Sequence, residues 1–257
     1  MSENPLLSRI RIPGETFRLP SGGIFYGPGV LSEKVVDGEI YVYPMTAIDE
    51  LVLKTPDMLF TGKAIEEVFS RCIPDVLDVK RMLTKDVDFL MICLRKVSYG
   101  QDMEISYKHT CENAKEQVYK VSVQDFLNHT KRLDPIKAKK DFSLILTNGQ
   151  VIEFEPITFD NYVRLSQTND TETDPEKVIG RLSLAISSII RSVDNINDKT
   201  LIQEWVSKLP PILLKQLTEN VEKTTEWGSD FKTKVKCTDC GQEVTVQAPL
   251  NPLAFFT

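Results

Sequence analysis

Along the chain, short β-branched and aromatic runs alternate with longer stretches whose apolar residues recur every three or four positions. One passage occurs twice. The first copy runs from Asp37-Gly38 through Glu39-Ile40-Tyr41-Val42-Tyr43 to Pro44-Met45-Thr46, then Ala47-Ile48-Asp49-Glu50-Leu51-Val52-Leu53. The second runs from Asn148-Gly149 through Gln150-Val151-Ile152-Glu153-Phe154-Glu155 to Pro156-Ile157-Thr158, then Phe159-Asp160-Asn161-Tyr162-Val163-Arg164-Leu165. Each copy has a turn dipeptide, a strand pattern, a Pro-apolar-Thr step and helical spacing. Asp-Gly and Asn-Gly tolerate the positive φ of tight hairpin turns. Pro44 and Pro156 cannot donate to a sheet ladder, so each marks a strand's end. Thr46 and Thr158 are placed as helix N-caps.

A second correspondence joins Tyr99-Gly100, the strand around Ile105, Cys111 and Val118–Val123 to Trp227-Gly228, Phe231–Lys236, Cys237/Cys240 and Glu243–Val246. Both parts read as strand, helices, strand, cysteine turn, strand, which suggests internal duplication. The expected fold class is α+β: two related halves, each of strands plus helices ending in a zinc-knuckle-like β-hairpin. The expected organisation is an amino-terminal arm over 1–16 and a first half over 17–135 with a cysteine turn at 109–114. A second half over 136–257 would carry the Cys-x-x-Cys turn at 237–240 and an apolar tail.

Between these landmarks the spacing predicts further helices. Ala64, Ile65, Val68, Phe69 and Cys72 share one helical face. Thr84 is expected to cap the next helix, and the run Phe89-Leu90-Met91-Ile92-Cys93-Leu94 reads as a core helix apolar on nearly every side. A short helix is expected over Val123–Leu127. The second half shows a helix from Thr158, a polar loop over 168–174, and Pro175 in a helix's first turn. The apolar run reaching Ile189-Ile190 continues that helix. Two more follow, Asp198–Val206 and Ile212–Val221, separated by Pro210-Pro211. Lys131, Arg132, Lys137, Lys139 and Lys140 read as a solvated linker.

Composition narrows the class. The chain has 257 residues, 41% hydrophobic and 26% charged, enough for one large or two ordinary globular domains. No apolar run approaches the ~20 residues of a bilayer span. The opening Met1-Ser2-Glu3-Asn4-Pro5 has no basic segment leading into an apolar core, so no secretory signal is expected. The net charge of −6 argues against broad attraction to nucleic acid or anionic membrane. Cys72 and Cys93 sit in apolar helical patterns and read as buried thiols.

The other three cysteines carry the candidate chemistry. Cys237-Thr238-Asp239-Cys240-Gly241 between two strands has the form of a zinc knuckle, supplying two thiolates of the four ligands that a closed site needs. The duplicated position supplies Cys111, with Ala114 where the second cysteine would stand. His109 could complete a Cys3His set for structural Zn2+ if the two turns meet in space. The alternatives are a degenerate knuckle held by hairpin packing, or a redox Cys-x-x-Cys, which lacks its usual βαβ surroundings.

No catalytic set is visible. There are only two histidines, His109 and His129, and no Gly-x-Ser-x-Gly, His-Glu-x-x-His or dinucleotide fingerprint. Asp49-Glu50 reads as complementing a helix dipole. Asp75, Asp78, Asp86 and Asp88 read as solvated helix ends. The Gly-Gly of Phe17–Gly29 lacks the Lys-Ser/Thr and the following helix of a phosphate loop. Its aromatics Phe25 and Tyr26 read as packing on the domain or on a neighbour. Leu253, Phe255 and Phe256 at the tail call for burial or a partner.

The passage Leu19-Pro20-Ser21-Gly22-Gly23-Ile24-Phe25-Tyr26, with Gly38 to Glu50 after it, resembles the T4-type baseplate proteins of contractile-tailed phages, the hub or hub-assembly subunits. Members show Leu-Pro-Ser-x-Gly-x-x-Tyr, a strand, Pro-Met-Thr, an Asp-Glu helix and cysteine turns. The resemblance implies a non-enzymatic virion or assembly component. It would be made in the host bacterial cytoplasm and joined to other baseplate proteins, with a homo-oligomer within a symmetric baseplate as one arrangement. The alternatives are an assembly chaperone absent from the mature virion, and a zinc-ribbon nucleic-acid-binding protein.

Overall fold

The computed structural model describes residues 12–111, 116–167, 175–248 and 255. The arm before residue 12, Ala114, the 168–174 loop, Leu253 and Phe256 lie outside the described residues. The fold is α+β, with helices around small sheets.

Strands β1 (Glu15–Arg18) and β2 (Glu39–Val42) pair antiparallel, followed by α1 (Ala47–Leu53), α2 (Pro56–Phe60), α3 (Lys63–Cys72) and α4 (Thr84–Tyr99). Strands β3 (Asp102–Lys108) and β4 (Glu116–Ser122) form a second antiparallel pair, and α5 (Val123–Asn128) leaves it. After α6 (Pro135–Asp141), strands β5 (Ser143–Ile145), β6 (Val151–Phe154) and β7 (Ile190–Val193) form a three-stranded antiparallel sheet in that order. Helices α7 (Phe159–Ser166) and α8 (Pro175–Ile189) lie between β6 and β7 in the chain. Then come α9 (Lys199–Ser207), α10 (Pro211–Thr224) and the pair β8 (Lys232–Lys236) and β9 (Glu243–Gln247).

Both repeated passages fold as a strand, a proline step and a Thr-capped helix. At Thr46, the Asp49 carboxylate accepts from the threonine's backbone N–H and hydroxyl. At Thr158, the hydroxyl accepts from Asn161 N. All five apolar positions read on α3 are buried, and Cys72 and Cys93 are buried thiols. Helix α4 is the central element, buried almost continuously from Val87 to Arg95.

The apolar side chains form two cores. One gathers β1–β2, α1, α3, α4, α5 and β3–β4, and draws in Phe159, Phe231, Val246, Ala248 and Phe255 from the second part of the chain. The other lies among α6, the three-stranded sheet, α8, α9 and α10, with Phe25 packed against it from the first part. The cores therefore exchange elements across residue 135.

Several local expectations are corrected. Asn148-Gly149 does make a tight hairpin turn, but Asp37-Gly38 closes the long β1–β2 loop. Gly38 is needed there because its φ is +72° and an added Cβ would meet the Gly22 backbone at 2.8 Å. Thr84 is the first helical residue of α4, not its cap; its hydroxyl donates to Ile157 O. The basic stretch is not a plain linker. Asp134 accepts from Ile136 N and Lys137 N to start α6, which buries Ala138. Ile190–Val193 leaves the helical pattern to become β7, pairing with β6 across a register shift at Glu153/Phe154.

Candidate metal centre

The two cysteine turns meet. Hairpin β8–β9 turns through Cys237-Thr238-Asp239-Cys240-Gly241, closed by Cys237 N donating to Gln242 O and Gly241 N donating to Cys237 O. Gly241 has φ +73°, which a side chain would strain. The chain can then fold back so that both cysteines face one point. Hairpin β3–β4 brings His109 and Cys111 to the same point. The ligand atoms of His109, Cys111, Cys237 and Cys240 all lie within 4.8 Å of one another. Cys240 Sγ is 3.5 Å from His109 Nδ1, across 131 residues of sequence.

Gln117, at the base of β4, locks the hairpins together. Its side-chain N–H donates to Asp239 at 2.6 Å, and its Oε1 accepts from Thr238 N at 3.2 Å and from Tyr119 OH. Sequence reading missed this residue; no motif surrounds it, and its role exists only once the hairpins are opposed.

The donor set fits a structural metal. Three sulfurs and one imidazole are ligands that zinc accepts, and at Zn–S of about 2.3 Å and Zn–N of about 2.0 Å the ligand atoms would stand about 3.5–3.8 Å apart. The observed spread, within 4.8 Å, is about 1 Å wider than that. Electrostatics favours a thiolate at Cys237. The backbone N–H groups of Cys240 and Asp239, with the Cys240 and His109 side chains, draw its thiol down to about 6, against the opposing effect of burial. Burial and then the neighbouring Cys237 and Cys240 sulfurs push the Cys111 thiol up. A bound divalent cation would remove that repulsion. The cluster could hold a metal ion.

Of the aromatic residues singled out in the sequence, Phe25, Tyr26 and Phe255 have intramolecular partners. Phe25 packs at a tilt against Phe142, with ring centroids 5.0 Å apart. Tyr26 donates its hydroxyl to Asp86 and accepts from Leu83 N. Asp86 also accepts from the backbone N–H and hydroxyl of Ser21. It is fully buried, contrary to its reading as a solvated helix end, and burial pushes its carboxyl up against the pull of these bonds. The Leu19–Tyr26 glycine-rich segment is thus tied to the start of α4. Asp49 likewise does more than complement a dipole. Burial pushes it up, but the Thr46 donors and Arg71 outweigh that and hold it below the usual carboxylate range. Phe255 is buried with its ring 6.2 Å from Phe231.

Among the described residues, no helix is long and apolar enough to cross a membrane. No curated protein and no solved structure matches the chain. The sequence model of one protein family, described as T4 bacteriophage base plate protein, matches residues 31–257. That match takes in both repeated passages, the central helix and all four candidate ligands, so the chain belongs to the T4 bacteriophage base plate protein family.

Proposed function

We propose that this chain is a non-enzymatic docking subunit in the hub region of a contractile phage tail baseplate, its two cysteine hairpins clasped by one structural Zn2+. Membership of a base plate protein family makes it a structural baseplate component, with other baseplate proteins as partners and the virion tail as its location. The observation that carries the finer reading is the convergence of His109, Cys111, Cys237 and Cys240 from two separate hairpins. A metal there would have a mechanical role. It would fix β8–β9 against β3–β4 and so hold Phe231 and Val246 in the first core.

The Cys3His set offers the metal no position left open for a substrate or an activated water, which suits a closed structural site rather than a catalytic one. The groove between α2, α4 and α7 is lined almost wholly by apolar side chains and does not gather several titratable groups. Quantitative mass spectrometry of purified virions and of baseplate assembly intermediates tests the reading. A fixed stoichiometric signal in both is expected. Presence in intermediates but absence from virions would instead make the chain an assembly chaperone. Absence from both would overturn the docking role.

A further inference from the structure

A groove of about 660 Å³ opens between α2, α4 and α7. Leu59, Val87, Met91 and Phe159 line it. At its mouth Phe60 is 62% exposed and Tyr162 49% exposed, an apolar rim of the kind that marks interaction sites. Asp88 is the one charged side chain among the lining residues. It is half-buried and has no hydrogen-bond or ion-pair partner among the described residues. The nearest cation on its helix, Lys85, is turned elsewhere: it donates to Thr225 O at 3.0 Å and sits over the Trp227 ring. Burial raises the Asp88 carboxyl to about 6, with Lys85 pulling weakly the other way, so at neutral pH the groove holds an anion without a contact partner.

The groove already accepts a side chain from an end of the chain. Phe255, from the carboxy-terminal run, is buried in its wall beside Phe231. A peptide segment is therefore the class of occupant that this surface has room and chemistry for, and the unmatched carboxylate sets its charge.

We infer that this groove seats a short apolar segment of a neighbouring baseplate protein carrying one lysine or arginine, whose cation meets Asp88. The inference rests on the docking role set out above and names the surface and the partner chemistry. The apolar side chains enter between α4 and α7, as helical or extended peptides enter apolar grooves. The cation at Asp88 gives selectivity, since an acidic or purely apolar segment would leave that carboxylate unmatched or repelled.

The test places the photo-crosslinking residue p-benzoylphenylalanine at Tyr162 of the full chain during baseplate assembly, and maps the adducts by mass spectrometry. Adducts are expected on a segment of another baseplate protein with apolar residues flanking a lysine or arginine. A synthetic peptide of that segment should bind the purified chain, with Asp88→Lys weakening binding at least tenfold. A peptide with its basic residue changed to glutamate should restore affinity for Asp88→Lys. Asp88→Asn, which keeps shape and removes only charge, should weaken binding severalfold and guards against loss through misfolding. Adducts on a second copy of this chain, on a segment lacking a basic residue, or on a non-protein ligand would overturn the inference. So would unchanged binding by both variants. Chain present in the particles without any adduct at Tyr162 would sink the groove alone. Absence from particles and intermediates would sink the docking role itself.

Discussion

At Asp86 three donors converge on one buried carboxylate, two from Ser21 and one from Tyr26. Two positions on, Asp88 has none among the described residues. The contrast gives two predictions. Tyr26→Phe removes a hydrogen bond to Asp86 and leaves Leu83 N without its acceptor. It should cost about 2 kcal/mol in denaturant unfolding, the range for bonds to charged groups. Asp88 works the other way. Its carboxyl is raised to about 6 in the folded state, so the folded protein binds the proton more tightly than the unfolded chain does. Its contribution is fully present below the unfolded value near 4 and is lost as pH rises through about 6. Asp88→Asn should therefore be more stable than the parent at pH 7, by on the order of 1–3 kcal/mol, and the gap should close below about pH 4. A gap that does not change with pH would contradict the burial argument.

Elements differ in how openly the sequence announces them. Helix α3 was legible because its apolar positions fall on one face and all become buried. The caps at Thr46 and Thr158 were legible because each acts within its own first turn. Helix α6 was not: its lysines outnumber its apolar residues, Ile136 stays exposed, and its start depends on the Asp134 cap. Strand β7 was hidden because Ile190–Val193 continues the apolar run of α8 and becomes a strand only by pairing with β6. The four candidate ligands were legible from residue type and spacing, whereas their meeting and the Gln117 clamp depend on tertiary structure. Gln117→Ala should leave β4 formed but loosen the opposed hairpins. We expect zinc affinity to fall about 10–100-fold in a competitive chelator titration, the usual effect of losing a supporting partner of a metal site.

For the whole molecule, the two cores and the tail decide what the subunit offers its neighbours. The first core is completed by Phe231, just before β8, by Val246 on β9, and by Ala248 and Phe255 after it. Truncation of residues 253–257 removes Phe255 from that core and from the groove wall. It should lower stability by about 3–5 kcal/mol, as loss of a buried phenylalanine does, and reduce incorporation into baseplates. Normal incorporation of the truncated chain would argue against a role for the tail in docking. A metal clasp would make the same face dependent on zinc. Chelation should then release β8–β9, seen as faster proteolysis around residues 230–248, with protection returning when zinc is restored.

The most direct test is the metal content of the full-length protein purified without added metal, read together with its thiol reactivity under native conditions. We predict one zinc per chain, with Cys111, Cys237 and Cys240 unreactive until a chelator is added, and zinc lost in the Cys237→Ser/Cys240→Ser double variant. A folded protein with no bound zinc and those three thiols freely reactive would contradict the clasp on which this account of the subunit depends.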